Sequence, residues 1–457
     1  MTAPQRPVLA VRLSQPFQDF TRWKGGAGVM LLLAAAIAMG LANSPWHLAV
    51  EAFWQTPISI GVGASALSLS LRSIISDGLM AIFFLLVGLE IKGELLVGEL
   101  STPQSAALPL AAALGGMIVP ALTYLAFNRD SGAAVGWGIP TATDIAFALG
   151  VLSMLGPRVP APLFVFLSAL AIADDLGAVL IISLFYGHQP DASWLLLGAG
   201  VMLALLIANR SGVAWRSVYA VLGVLLWYCV LRSGVHSTVA GVLMALCIPA
   251  RSRIEATRFE QTVERELQAF AAATGDEARP VVSNGDQQRA LSAIEVACED
   301  AQPPLAHFRH QLYVPVNFWI MPIFALANAG VSLSDAGTGT SFRFGAVGMG
   351  VLLGLVVGKP VGILLATFLA TRLGATLPRG VSWPAISGVA CLAGIGFTMS
   401  LFVSGLAFNG TPLLAQAKLG IVVASVVAGL TGAIALWLTT TPPITVTGNV
   451  SQAREHG

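Results

Sequence analysis

The chain has 457 residues, 56% of them hydrophobic and only 10% charged, against about 25% charged in a soluble globular domain. Seventeen of the charged residues fall between Arg251 and His310, so the other 397 positions hold 30, too few to clothe a water-facing surface of that size. A soluble enzyme, a nucleic-acid-binding protein and a disordered scaffold are excluded together, the net charge of +1 points to no polyanionic partner, and a polytopic all-α membrane protein remains.

Residues 1–25 are polar, contain no apolar stretch of signal-peptide length, and read as a cytoplasmic N-terminal tail. A bilayer-spanning helix needs about 20 mostly apolar residues. Twelve candidate spans follow, at 26–44, 76–96, 105–127, 134–155, 160–186, 193–208, 213–231, 234–249, 312–332, 343–371, 381–408 and 413–438. Between the first two, residues 58–71 alternate apolar and small polar side chains around Gly61 and Gly63. That pattern predicts an external β-hairpin, either a homodimer contact or a self-contained surface flap. The membrane domain covers 26–250 and 311–438, interrupted by a charged cytoplasmic insert at 251–310. Within the insert, Phe259, Val263, Leu267 and Phe270 form one helical stripe. Leu291 and Ile294 predict a second short helix after a break at Pro280 and Asn284–Gly285. The rival reading of the insert is a partly disordered loop with solvated charge. Residues 439–457 form a C-terminal tail. With both termini inside, cytoplasmic segments hold 18 Lys and Arg residues and the opposite side four, as the positive-inside rule requires. The four cysteines have neither metal-ligand nor disulfide spacing, and three sit in apolar runs.

Four charges stand where charges are expensive. Asp144 is at the midpoint of the fourth span, Asp174 and Asp175 are one residue past the middle of the fifth, and Lys359 is two past the middle of the tenth. An ionisable side chain at the bilayer centre costs about 2.5–3.5 kcal/mol on insertion scales and is by default functional. At about 1.5 Å rise per residue the four share one depth, so they read as one site. Adjacent carboxylates on a helix point about 100° apart, so Asp174 and Asp175 cannot do the same job. One division has one aspartate facing a water-filled cavity and the other pairing with Lys359. Burial and pairing move the proton affinities of such groups in opposite senses, which is how a proton-coupled carrier is poised. The plain alternative is a buried salt bridge that only ties helices together. The backbone adds a second signal. Gly138-Ile-Pro140-Thr141-Ala-Thr143-Asp144 and Ala393-Gly394-Ile-Gly396-Phe-Thr398 each interrupt a span at mid-depth, exposing helix-end N–H and C=O groups that only a protein-lined or wet cavity tolerates. Paired interruptions point to a transporter's ion site, where Asp144 offsets the positive half-helix ends and Lys359 the negative ones.

Ile139-Pro-Thr-Ala-Thr-Asp-Ile-Ala-Phe-Ala-Leu-Gly150, Ala169-Leu-Ala-Ile-Ala-Asp-Asp-Leu-Gly177, Phe324-Ala-Leu-Ala-Asn-Ala-Gly-Val-Ser332, Gly358-Lys-Pro360 and Gly394-Ile-Gly-Phe-Thr-Met-Ser400 resemble the NhaA-type sodium/proton antiporters, over nearly every span from Asp77 to Leu430. The resemblance implies inverted repeats with two discontinuous helices crossing at mid-membrane. It implies an electrogenic carrier in a bacterial inner membrane that exports sodium or lithium and admits more protons than sodium ions per cycle, serving pH and sodium homeostasis. No cofactor beyond the transported ions is implied. Asp175 would be the principal ligand and proton carrier, and Asp174 the partner of either Lys359 or the cation. Asp144 and Thr143 match the accessory site at the chain crossing. Asp77, Glu90, Glu94 and His236 match acidic and pH-response positions, although Glu90 and Glu94 also suit a snorkelling pair around Lys92 and His236 a packing residue. The chain departs from the family before the ninth span, where an acidic residue, a histidine and a second histidine are usual. Here Arg309, His310 and Tyr313 stand there, after the long insert, which puts the alkaline activation profile in question.

Three rivals come from other classes. An intramembrane aspartyl protease would need Tyr-Asp and Gly-x-Gly-Asp motifs, which surround neither Asp144 nor Asp174, and would have no use for Lys359. A sodium-coupled solute symporter on a related fold would suit the broken helices but has no need for the lysine. A channel lacks any filter or ring of charges here.

Overall fold

The computed structural model describes residues 25–60, 67–129, 131–187, 190–213, 215–252, 254–273, 284–331 and 345–440. In chain order the elements are α1 (Gly26–Ala42), α2 (His47–Trp54), β1 (Pro57–Ile60), β2 (Leu67–Ser70), α3 (Leu71–Val97) and α4 (Pro103–Phe127). A 3₁₀ segment, Val135–Thr141, precedes α5 (Ile145–Met154), followed by α6 (Ala161–Phe185), α7 (Ala192–Arg210), α8 (Arg216–Arg232) and α9 (Thr238–Cys247). Next come α10 (Ala256–Ala272), α11 (Gly285–Ala301), α12 (304–328), α13 (Gly345–Arg372), α14 (Trp383–Ala393), α15 (Phe397–Phe408) and α16 (Leu413–Thr439). Among the described residues six helices are long and apolar enough to cross a membrane, or nine when each bent pair is taken as one span.

Several boundaries differ from the sequence reading, each for a local reason. The first span ends at Ala42, and α2 follows after a 117° bend. Asn43 and Ser44 make that corner, with the Ser44 carbonyl accepting the His47 N–H at 3.1 Å. The hairpin pairs Pro57 with Ser70 and Ile60 with Leu67. It stops one residue before the expected 71 because the Ser70 hydroxyl accepts the Ser73 N–H at 3.1 Å and so caps α3. Gly61 and Gly63 lie outside the described residues, as do the N-terminal tail through residue 24, Pro280 and residues 441–457 of the C-terminal tail. The eighth span is a helix only over Thr238–Cys247, entered through Gly234 at φ 82°. The ninth begins at Pro304, inside the expected insert, since proline at the first helical turn suits a helix start. The insert's two helices form and pack on each other. Phe259, Val263, Phe270 and Ile294 are half-buried, but Leu267 and Leu291, expected on the packed stripes, are 59% and 45% exposed. The face that α11 buries carries Gln287, Ala290 and Ala297 instead.

The described residues form two compact units, one drawn from within 1–50, 102–178 and 328–457, the other from within 51–101 and 179–327. In the first, α4 packs along α13, α14 and α15 on α16, and α1 on α5. Glycines set these spacings: a Cβ on Gly362 would stand 2.1 Å from the Gly115 carbonyl oxygen, so α4 and α13 touch backbone to backbone. In the second, α3 packs on α9 in the same way, a Cβ on Gly241 falling 2.2 Å from the Ala81 carbonyl oxygen. The core there includes Leu89, Tyr219, Leu226 and Met244.

Candidate functional site

Two helices of the first unit are interrupted, and each break is closed by groups from the other. Chain direction turns by 41° between Gly132–Thr141 and α5, and by 43° between α14 and α15. Pro140 cannot continue a regular helix, and Gly394 and Gly396 leave no side chain where none would fit. A Cβ on Gly394 would sit 2.5 Å from the Leu355 carbonyl oxygen, and one on Gly396 2.1 Å from Ser400 Oγ. Breaking a helix frees backbone groups that must find partners. The Asp144 N–H donates to the Ile395 carbonyl at 2.7 Å. The Ser400 hydroxyl donates to the Ile139 carbonyl at 2.8 Å. Thr143 Oγ1 lies 2.9 Å from the Ala393 carbonyl oxygen and 2.6 Å from Asp174 Oδ2, with one proton to donate between them.

The charged groups occupy the ends of these half-helices. Asp144 caps α5 by accepting the Phe147 N–H on Oδ1 at 3.0 Å. Its Oδ2 accepts the Thr398 N–H at 3.1 Å and the Thr398 hydroxyl, so the same carboxylate faces the first turn of α15. A negative charge at two helix N-termini is favourable through the dipole and the freed N–H groups. Ser425 Oγ accepts the next free donor, the Phe397 N–H, at 3.2 Å. Lys359 follows a π-turn at Gly354–Gly358 in α13, a local widening often found at functional sites. Its ammonium donates to the carbonyl of Thr141, the last residue of the 3₁₀ segment, and reaches Asp174 Oδ2 at 2.5 Å. It also interacts electrostatically with Asp175. Asp144, Asp174 and Asp175 are each 1% exposed, and Lys359 and Thr143 are fully buried. Five sequence candidates thus stand in one site. The reading of the sequence missed Thr398, Ser400, Ser425 and the Thr141 and Ala393 carbonyls as members; only Thr398, at the glycine break, gave a signal.

A family model described as Na+/H+ antiporter 1 matches residues 18–436. The chain belongs to that family. The antiporter is 45% identical to the Na(+)/H(+) antiporter NhaA of Oleidesulfovibrio alaskensis over 92% of this chain and 93% of that protein. It is 44% identical to the NhaA of an Anaeromyxobacter species, over 96% and 95%. Against that of Helicobacter pylori it is 43% identical, over 93% and 96%.

The remaining candidates of the antiporter lie in the second unit, in two groups. His236 Nε2 is 3.7 Å from Asp77 Oδ1, and the Asp77 carbonyl accepts from Trp227 Nε1 at 3.0 Å and from the Ser237 hydroxyl at 3.1 Å. Glu90 and Glu94 are half-buried on α3. Arg309 interacts with Glu90 electrostatically, and its guanidinium stands 3.4 Å from where a Cβ on Gly93 would be. Glu94 Oε2 accepts the Glu99 N–H at 2.9 Å, closing the turn after α3. Lys92 does not join the glutamates; its ammonium caps the end of α9, donating to the carbonyls of Leu246 at 2.7 Å and Ile248 at 2.5 Å. His310 is exposed.

Proposed function

We propose that this Na+/H+ antiporter exchanges its ions by competition at Asp174 and Asp175. The observation that carries the reading is the fully buried pair of Asp174 with Lys359, formed next to Asp175 and the Thr143 hydroxyl. Two adjacent buried carboxylates and one lysine leave negative charge that a low-dielectric site must neutralise. A proton or a hard cation does so, and not both at once. Carboxylate, hydroxyl and carbonyl oxygens are the ligands that sodium and lithium prefer. In this scheme the cation takes Asp175, Asp174 and the Thr143 and Asp144 oxygens near it, and Lys359 gives up Asp174 as the cation enters. Proton binding then reverses the exchange and releases the cation.

Export of the cation against proton entry follows when the same site opens alternately to each side. The interlocked breaks at Thr143–Asp144 and Gly394–Gly396 support two discontinuous helices crossing at mid-membrane, within inverted repeats. Twelve spans result when α8, α9 and α12 are each counted as crossing with the nine above. With more protons than sodium ions per cycle the exchange is electrogenic, and the membrane potential contributes about 2.3 kcal/mol per charge per 100 mV. The excess of Lys and Arg on one side supports cytoplasmic termini in a bacterial inner membrane, with pH and sodium homeostasis as the role. The two-stranded β1–β2 sheet offers an edge on which a second copy could pair.

Proteoliposomes with an imposed pH gradient and a pH-sensitive dye test the reading. Sodium and lithium should collapse the gradient, potassium should not, and Asp175→Asn should abolish the response. A gradient untouched by sodium at every pH would rule out proton exchange and leave sodium-coupled solute uptake.

A further inference from the structure

A cavity of about 490 Å³ opens on the outer side of the α4–α13 pair, within the first unit. Gly115, Gly362 and Ala366 make its floor, where the two backbones approach too closely for any larger side chain. Leu114, Leu365 and Leu369 stand exposed as its walls. The helices are antiparallel, Asn128 at the end of α4 bonding to the Ala346 carbonyl at the start of α13, so the slot follows both axes. Its α4 side runs from Ala107 to Val119, about 18 Å at 1.5 Å per residue. One leaflet, half of a hydrocarbon core about 30 Å thick, has nearly that depth.

The two ends of the slot differ. One end is closed by tightly packed helices, a Cβ on Gly358 falling 2.9 Å from Pro120 Cα. The other opens past Leu373 and Ala375. There Arg372 is exposed, its guanidinium 5.1 Å from the Phe368 ring centroid, with exposed Arg379 following in the next loop. Residues 345–440 contain no aspartate or glutamate, so nothing from that segment neutralises these arginines. An apolar slot one leaflet deep, ending at exposed guanidinium groups, matches a lipid tail below an anionic headgroup.

We propose that the slot binds one acyl chain of an anionic phospholipid, whose phosphate is met by Arg372. The site lies behind Lys359 rather than at it: Gly362 is three residues further along α13, and a Cβ on Gly116 would stand 3.9 Å from Lys359 Cε. A lipid here braces the helix that carries the transport lysine without touching the ions.

The test uses the full-length protein in detergent, with phosphatidylglycerol or phosphatidylcholine added and retained lipid read by native mass spectrometry. Phosphatidylglycerol should be retained about fivefold over phosphatidylcholine, the preference one arginine supplies near an anionic headgroup. Arg372→Gln should bring that ratio near one while a lipid is still held. Ala111→Phe, which fills the slot, should remove the lipid. Because Ala111→Phe could fail to fold, photoactivatable phosphatidylglycerol is also crosslinked to the wild type, where adducts should map to residues 107–119 or 362–375. A wild type without preference, a preference that survives Arg372→Gln, or adducts confined to other helices would overturn the proposal and leave only unspecific boundary lipid.

Discussion

An aspartate carboxylate has two oxygens, and Asp144 commits each to a different half-helix, α5 through Phe147 and α15 through Thr398. Lys359 serves the opposite end in the same way, through the Thr141 carbonyl, while holding Asp174. Because both members of that pair are buried, removing one leaves the other as an uncompensated charge, at a cost of about 3–5 kcal/mol. Lys359→Ala should therefore lower the thermal stability of the purified protein markedly, and adding Asp174→Asn should restore much of it. A double variant no more stable than Lys359→Ala would show that the pair carries little of the stability. These four charges were legible in the sequence because a charge in an apolar run is costly enough to need a reason. Which partner each would find was less legible: Thr398 gave a signal at the glycine break, but its bond to Asp144 spans 254 residues, and the Thr141 carbonyl that Lys359 meets is a backbone group of the kind every residue carries.

Helix interruptions were legible for the same reason at the scale of elements, since Pro140 and the pair Gly394 and Gly396 stand in otherwise regular apolar runs. Ends set by local capping were harder to read. Ser70 starts α3 before the apolar run begins, and Pro304 starts α12 among charged residues whose composition reads as insert. The packing that sets the site's geometry was invisible, because a glycine that permits close approach looks like any other. Gly362 is such a case. Gly362→Ala would place a methyl 2.1 Å from the Gly115 carbonyl oxygen, so α13 must move from α4 and take Lys359 with it. Overpacking of this kind costs about 1–3 kcal/mol. Stability should fall by that amount and the exchange rate should fall with it, whereas Gly200→Ala, on α7 with open space around the added methyl, should leave the rate unchanged. Equal rates for the two variants would show that the α4–α13 contact does not position the lysine.

For the whole molecule, composition alone gave the membrane class and the charged insert, whose two helices are α10 and α11. Its ends are pinned together, the Leu305 N–H donating to the Pro249 carbonyl at 3.0 Å, so the excursion leaves and rejoins the second unit at one place. Division of the chain into two units was not legible, because each is assembled from segments far apart in sequence. The transport candidates belong to the first unit, and Asp77, His236, Glu90 and Glu94 to the second. The central claim concerns the first cluster: one set of carboxylates binds either protons or the cation. Competition makes the two affinities reciprocal. The decisive measurement is the sodium concentration for half-maximal exchange, in proteoliposomes clamped at a series of pH values. Below the pH at which the carriers deprotonate, it should rise about tenfold for each unit of acidification, and more steeply if two protons compete with one cation, while the maximal rate at saturating sodium holds. A half-saturating sodium concentration that stays constant while the maximal rate collapses in acid would contradict the account, because protons would then be acting somewhere other than the sodium site.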